Sequence, residues 1–430
     1  MLTAITGINW GDEGKGRMVD LLSREYDIVV RYQGGNNAGH TVVNERGKFI
    51  LNLLPSGILR PEVVCVMGNG MVIDPAHLCR EMAALREKGV EISPRNLKIS
   101  DRATLCMPYH VAEDGLEEDR LAESGSQFGS TRRGIAYAYG DKYMKKTLRM
   151  GDLTHLDDSV KKRLTTIAAW KSLTMERVYG ADPLDLETLW GWCRRYAAEL
   201  APYICDTGAY LDAQDKAGKK ILFEAQLGAL RDIDFGIYPF TSSSNVIGSY
   251  APIGAGIPGH KLDVSIGIMK AYSSCVGEGP FTAELAMTEA QQHALREAGH
   301  EYGAATGRPR RVGPFDAVAS RYGVFCQGAD YLALTLLDVL GYLDVIPVVD
   351  KYLVDGEQTR RFPVGKALEE AKPVVKLLPG WQCDISGCRT WEELPQAARD
   401  YVNYIEQAVG CPIRYISVGA AREAYLVKEG

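Results

Sequence analysis

The sequence predicts an α/β protein: a large, mostly parallel central sheet with flanking helices, a P-loop-like strand–loop–helix at the N-terminus, and a helical insertion. Three observations carry that expectation. Short β-branched apolar runs alternate with helical stretches through the first hundred residues. The run Ile28-Val29-Val30 is continuously apolar, as in a strand buried on both faces of a parallel sheet. Glycine-rich loops follow the first two strand signals, where such sheets open their ligand-binding edge.

Residues 2–8 read as the first strand, and 14–26 as a helix with Met18, Val19, Leu21 and Leu22 on one side. Residues 27–31 form the second strand. The segments 41–43 and 48–54, joined by Asn-Glu-Arg-Gly, read as a hairpin. Residues 63–67 are a further buried strand, and 76–88 a helix closed by Gly89. The stretch from about 150 to 220 is charged, helical in period and poor in glycine, which marks the insertion. Residues 221–224 return to strand character. The Gly/Pro-rich segment 248–260 reads as a surface loop, and strands resume near 332–337 and 415–418. With no repeat and no linker, residues 1–430 read as one domain.

The 430 residues carry 49 Lys+Arg against 55 Asp+Glu, a net charge of −6, and are 46% hydrophobic. This is the composition of a folded soluble protein. The mild acidity argues against coating a nucleic acid, which requires a basic excess. No apolar run approaches the roughly 20 residues of a membrane span, and the N-terminus lacks a basic-then-apolar leader. A cytoplasmic protein is therefore expected, with neither nucleic acid nor membrane as partner. Ten cysteines are scattered without a CxxC pair, which reads as buried thiols in a reducing compartment.

The strongest chemical signal is Gly7-Ile-Asn-Trp-Gly11-Asp12-Glu13-Gly14-Lys15-Gly16-Arg17, between first strand and first helix. Glycines let backbone N–H groups converge on an anion, and the helix N-terminus adds its positive end. The physics is that of a P-loop, but the spelling GxxxxGK[ST] is not met. Asp12 inside an anion cradle is costly unless it holds a metal or takes a proton. A second loop, 31–41 (RYQGGNNAGHT), brings His40 to the same sheet edge, its glycines leaving little side chain to bury it. The segment 303–311 holds Arg308, Arg310 and Arg311, a clamp for carboxylate or phosphate. Residues 241–245 form a hydroxyl-rich loop. The inventory suits joining two anionic small molecules at a nucleotide's expense.

The spelling of these segments resembles the adenylosuccinate synthetase family, which ligates IMP and L-aspartate using GTP. The resemblance runs nearly end to end: WGDEGKGR (10–17), RYQGGNNAGHT (31–41), GNGMVIDP (68–75), STRRGIA (130–136), DIDFGIYPFTSSSN (232–245), VGEGPFTAEL (276–285) and GAATGRPRRVGPFD (303–316). It implies a GTP-dependent C–N ligase of purine biosynthesis, working through 6-phosphoryl-IMP to adenylosuccinate, GDP and phosphate. It also implies a homodimer with one Mg²⁺ per subunit.

On that resemblance Asp12 is the base at purine N1, His40 the acid toward the departing GDP, and Gln226 a further catalytic candidate. Mg²⁺ would lie on Asp12 and the backbone oxygen of Gly39. GTP would meet Gly11, Asp12, Glu13, Gly14, Lys15, Gly16, Arg17, Gly39, His40, Thr41 and Arg310. Leu336, Asp338, Ser417 and Gly419 would surround its base. IMP would meet Asp12, Lys15, Asn37, Ala38, Gly39, His40, Thr131, Lys145, Leu227, Ser242 and Arg308. Ala305, Thr306, Gly307 and Arg308 form the aspartate loop.

The chain departs from the family pattern at several of these positions. FEGAQG has become Phe223-Glu-Ala-Gln226-Leu227-Gly228, so Leu227 stands in the slot of the family's catalytic glutamine. TKLD has become Thr335-Leu336-Leu337-Asp338, Arg132 replaces a glycine, Lys145 an arginine, Arg17 a lysine, and Ala305 a threonine. Two rivals follow: acceptance of a 2-aminopurine nucleotide such as dGMP, which Asp12 disfavours, and a nucleotide-binding regulator that has lost catalysis.

Overall fold

The structure is a computed structural model that describes residues 1–44, 47–126, 129–302, 307, 309–421 and 423–428, without the side chains of 43 and 44. Ten strands form the main sheet, in the order Tyr425–Val427, Ile413–Ser417, Tyr331–Thr335, Val264–Lys270, Leu2–Gly7, Ile221–Glu224, Ile28–Arg31, Val64–Met67, Leu97–Ser100 and Ile204–Cys205. Every neighbouring pair is parallel except the edge strand Tyr425–Val427. Leu2–Gly7, Ile28–Arg31 and Ile221–Glu224 are buried at every position, which is why the run Ile28-Val29-Val30 is apolar without alternation.

The first two predicted strands are not neighbours, because Ile221–Glu224 lies between them. The loops that follow all three still leave from one edge, since all three strands point the same way. The first helix is shorter than its periodicity, Lys15–Leu22, and continues as the 3₁₀ turn Ser23–Glu25. Its start is set by Gly14, whose φ of 93° only glycine adopts at little cost. The hairpin is His40–Asn44 with Gly47–Leu51, and its turn at residues 45 and 46 lies outside the described residues.

Two expectations change. The 150–220 stretch is helical (Asp158–Tyr179, Leu186–Leu200, Thr207–Lys216), yet it also supplies the edge strand Ile204–Cys205 of the main sheet. It is thus woven into the sheet rather than appended to it. Residues 248–260 are not a surface loop throughout: Ala251–Ala255 is a short helix with Ala251 and Ala255 fully buried. The glycines there serve close packing, for the Gly254 carbonyl accepts from the Gly70 amide at 2.8 Å and a Cβ on Gly70 would lie 3.0 Å from the Gly254 Cα.

Val345–Val354, Glu357–Thr359 and Lys372–Pro379 make an antiparallel layer beside the main sheet, and Phe315–Asp316 joins it in parallel. All ten cysteines are free thiols; Cys65, Cys106, Cys193, Cys275 and Cys411 are buried, whereas Cys383 is exposed, so burial holds for only part of the set. Among the described residues no helix is long and apolar enough to cross a membrane.

Candidate active site

Loops leaving the carboxyl ends of the parallel strands converge on one region. After Leu2–Gly7 the backbone passes through Gly11 (φ 110°), Asp12 (φ 58°) and Gly14 (φ 93°) before entering the first helix. Glycine is required on either side of this turn. A Cβ on Gly7 would lie 2.4 Å from the Leu227 carbonyl oxygen, and one on Gly228 only 2.3 Å from that of Asn9.

The cradle is already filled by an internal anion. The Glu13 Oε1 accepts from the amides of Asn9 (3.1 Å) and Gly11 (2.8 Å), while Lys15 Nζ lies 2.5 Å from Glu13 Oε2. Both side chains are buried. Lys15, expected as a free charge for phosphate, is therefore paired with Glu13. Asp12 faces outward, its side chain 35% exposed, with Oδ2 3.0 Å from Arg310 Nη2. Arg310 Nη1 in turn donates to Glu301 Oε2 at 2.8 Å.

His40 opens the hairpin and sits against the first helix: a Cβ on Gly16 would lie 2.8 Å from the His40 Cβ. Contrary to the expectation of an unburied histidine, it is 7% exposed. The burying partner comes from Ile221–Glu224, because Glu224 binds His40 Nδ1 and fixes the ring. Glu224 also accepts from the Ser56 amide (2.7 Å) and hydroxyl (2.6 Å). Burial lowers the His40 pKa against the pull of Glu224, with Arg31 and Lys15 adding to the lowering. Burial works to raise Glu224, but His40, Arg31 and Ser56 together hold it below the usual carboxylate range. Thr41 follows His40 on the same strand.

Gln226 does not point freely into this space. Its Oε1 accepts from the Gly35 amide at 3.1 Å, and Nε2 donates to the Gly35 carbonyl (3.1 Å) and to Asn37 Oδ1 (3.2 Å). The amide thus braces the second glycine loop. Leu227 follows in the left-handed region, φ 64°, with its side chain beside Gly11. Below that loop, Tyr139 Oη accepts from the Gly34 amide (2.9 Å) and donates to the Gly70 carbonyl (2.8 Å). Gln33 ties in the hydroxyl-rich loop, accepting from Ser244 Oγ at 3.0 Å, and Ser244 pairs with Ser242 Oγ at 3.0 Å. Ala38 accepts from Asn52 Nδ2 at 3.0 Å, which leaves Gly39 next to His40.

Arg17, expected at the phosphates, reaches instead to the other end of the site. Nη1 donates to Ser417 Oγ (2.7 Å) and the Gly419 carbonyl (2.6 Å), and Nη2 to the carbonyls of Ala421 (2.5 Å) and Ala424 (3.2 Å). Asp338, nearby, has a buried Oδ1 with no hydrogen-bond partner among the described residues, and burial raises its pKa. A buried acceptor left open is what a ligand's N–H groups would complete. Leu336, two residues before Asp338, has φ 59°, and Thr335 Oγ1 donates to the Glu13 carbonyl at 2.8 Å, joining the Asp338 end of the site to the cradle.

Thr131 and Lys145 are exposed. The Thr131 loop is held by the helix Pro108–Glu123, whose Asp114 and Glu118 accept from Ser130, Gly134 and Gly129. Lys145 caps the helix Ile135–Met144 in a left-handed conformation, beside exposed Tyr143 and Met144. Of the aspartate loop, Ala305, Thr306 and Arg308 lie outside the described residues, and Gly307 has φ 65°. Sequence reasoning missed Glu224 and Tyr139, which touch the loops from distant parts of the chain, and Glu301, nine residues before the Arg310 it binds. The only sequence hint was a Glu ending a buried strand, an unusual place for a carboxylate.

The chain matches the family described as Adenylosuccinate synthetase over residues 4–426. It is 46% identical to an adenylosuccinate synthetase of Heliobacterium modesticaldum, over 97% of each chain. With that of Caldanaerobacter subterraneus it shares 44%, over 99% of each. The structure superposes on fully ligated adenylosuccinate synthetase from Plasmodium falciparum with a TM-score of 0.92, at 34% identity and 99% coverage of both chains. A cyanophage S-2L succinoaminodeoxyadenylate synthetase shares the fold alone, at TM-score 0.59 and 19% identity. Sequence, fold and the converging loops agree, and the chain belongs to the adenylosuccinate synthetase family.

Proposed function

We propose that Asp12 and His40 carry the two proton movements by which this protein, a GTP-dependent ligase, joins IMP to L-aspartate to give adenylosuccinate. The observation that supports this most directly is that one edge of the sheet carries both an outward-facing carboxylate in the cradle and a histidine fixed against the first helical turn.

The purine O6 is a poor leaving group, so it must first be made a phosphate ester. Asp12 removes the N1 proton, which places negative charge on O6. O6 attacks the γ-phosphoryl group, and the bond to the bridging oxygen of GDP breaks. Glu224 holds the Nδ1 side of His40, so Nε2 is the nitrogen left for the departing GDP. Burial disfavours the imidazolium in the ligand-free site, and the arriving phosphates supply the negative charge that favours it. The aspartate amine then displaces phosphate from C6.

Phosphate binding exchanges anions: the γ- and β-oxygens take the Asn9 and Gly11 amides and Lys15 from Glu13. At the far end Asp338 pairs with the guanine N1–H and N2–H, while Arg17 holds the chain segment carrying Ser417 and Gly419. Asn37, Ala38, Thr131, Leu227, Ser242 and Arg308 surround IMP, with Ala305, Thr306, Gly307 and Arg308 on the aspartate carboxylates. Asp12 and the Gly39 carbonyl are hard oxygen donors of the kind Mg²⁺ takes alongside phosphate oxygens, and the ion would neutralise charge there. Lys145, exposed beside Tyr143 and Met144, suits a charge lent across a homodimer. A cytoplasmic location fits the free thiols.

Protein, IMP, GTP, Mg²⁺ and aspartate together should yield the succinyl-purine, followed by absorbance. Asp12→Asn and His40→Asn should each abolish it with the melting temperature kept. Turnover near the parent rate in either variant refutes the role given to that residue.

A further inference from the structure

Asp12 stands on an exposed left-handed turn, and a base so placed needs something to aim it. We propose that Glu301 is a positioning residue that fixes Arg310 and, through it, the carboxylate of Asp12. The inference rests on the reading of Asp12 as the base.

Glu301 is 1% exposed and is surrounded by donors. Lys270 Nζ and Tyr272 Oη each lie 2.5 Å from its Oε1, and Arg310 Nη1 donates to Oε2 at 2.8 Å. Burial raises its pKa, but Lys270 and Arg310 prevail and hold it below the usual carboxylate range. The anchor is rigid because of where its parts lie. Lys270 ends the central strand Val264–Lys270, the neighbour of Leu2–Gly7 whose loop carries Asp12. Its Nζ is further fixed by Ser274 Oγ at 2.6 Å. The main chain joins in, with the Arg310 amide donating to the Glu301 carbonyl at 2.9 Å.

The guanidinium spans the gap from this anchor to the site. Nη1 is on Glu301, Nη2 is 3.0 Å from Asp12 Oδ2, and Nε is buried with no hydrogen-bond partner among the described residues. Among the described residues two carboxylates set its orientation. A planar fork with one prong on a buried carboxylate delivers the other prong in a fixed direction, which a lysine would not. One oxygen of Asp12 is thereby held, and the other is presented to the purine. Glu301 and Asp12 against Lys270 and Arg310 leave the group electrically balanced, so the charge of Glu301 is needed at both ends.

The test uses Glu301→Gln in the full-length protein, with Glu301→Gln/Lys270→Met as a second variant that removes the lysine left unpaired. The readouts are kcat, the KM for each substrate, and scrambling of ¹⁸O between bridge and non-bridge positions of GTP with IMP but without aspartate. That scrambling reports the first chemical step alone. A purely structural role would lower the melting temperature and move every constant together. A positioning role lowers kcat and scrambling roughly ten- to a hundredfold, as loss of a hydrogen bond to a charged group does, raises the KM for GTP, and leaves that for IMP within twofold. Tyr272→Phe, which removes a single donor, should lower scrambling severalfold, and it decides the matter if neither Glu301 variant folds. Scrambling at the parent rate in any folded Glu301 variant, or in Tyr272→Phe where those do not fold, overturns the proposal. Failure of the unaltered protein to form product would instead refute the ligase mechanism, because that arm does not touch Glu301.

Discussion

Gly16→Ala separates catalysis from stability at a single methyl group. Gly16 lies in the first turn of the helix Lys15–Leu22 with ordinary helical backbone, so alanine there gains about 0.5–1 kcal/mol of helix preference. The new Cβ, however, would lie 2.8 Å from the His40 Cβ, where ordinary contact begins at 3.4 Å. The histidine must therefore retreat by about 0.6 Å, and it is held from behind by Glu224. A shift of this size at a reacting group lowers the rate by something approaching a hundredfold, since misplacement by about 1 Å costs a factor near 10². Steady-state kinetics with thermal melting should thus show kcat falling roughly 10- to 100-fold while the melting temperature falls by only a few degrees, the overpacking cost of about 1–3 kcal/mol being partly offset by the helix preference. If kcat stays within twofold, or if only the KM for GTP increases, the methyl group acts on the nucleotide rather than on His40, and the packing argument is refuted.

Other perturbations follow from the same contacts. Gly34→Ala puts a Cβ 1.8 Å from Gln226 Oε1 at a φ of 82°, and should destabilise the protein by about 2–4 kcal/mol in denaturant melts. Arg17→Ala releases Ser417 and the carbonyls of Gly419, Ala421 and Ala424, so the KM for GTP should rise with little change in that for IMP. Asp316 caps the helix Ala317–Gln327, and burial pushes its pKa up to about 6. The folded state thus holds the proton more tightly than the unfolded chain, near 3.9, and this group's stability is full below pH 4 and lost as pH rises through 6. Asp316→Asn should abolish that slope, up to about 3 kcal/mol, in melts run from pH 4 to 7. Leu227→Gln returns an amide to the family's slot and should raise kcat; an unchanged or lower kcat would show that another donor serves the oxyanion.

The parts of the site that were legible in the sequence are those whose signal is local. A glycine-rich turn between an apolar run and a helical period is written within ten residues, and so were Asp12 and the Arg310 segment. The partners of those residues were not. Glu224 meets His40 across 184 positions of chain, and nothing near His40 announces a carboxylate. The strand that carries Glu224 was legible from its apolar run, but its place between Leu2–Gly7 and Ile28–Arg31 was not, because periodicity does not specify strand order. The pairing of Lys15 was not legible for the opposite reason. Its partner Glu13 is two residues away, and only the turn at Gly14 shows that the two side chains fold onto each other. In 248–260, glycine and proline signalled close packing as readily as exposure, and the sequence alone does not distinguish the two.

The left-handed residues at the site sharpen the meaning of the departures from family spelling. Asp12, Leu227 and Leu336 all have φ near 60°, a conformation that costs a non-glycine residue about 1–2 kcal/mol, and each follows the carboxyl end of a parallel strand. For Asp12 a short polar side chain eases that cost; for two leucines nothing local does. Their side chains cannot be the reason the backbone turns there. The cause lies in what surrounds them: the Leu227 carbonyl packs against Gly7 and its Cα against Gly11, while Thr335, one residue before Leu336, is tied to the Glu13 carbonyl. The turns are thus imposed by contact with the glycine-rich loop after Leu2–Gly7, and they persist when the side chain changes. Leu227 and Leu336 therefore alter what is presented to the ligands while leaving intact the scaffold that presents it, so restoring polar side chains at these two positions should change kinetic constants by far more than it changes stability.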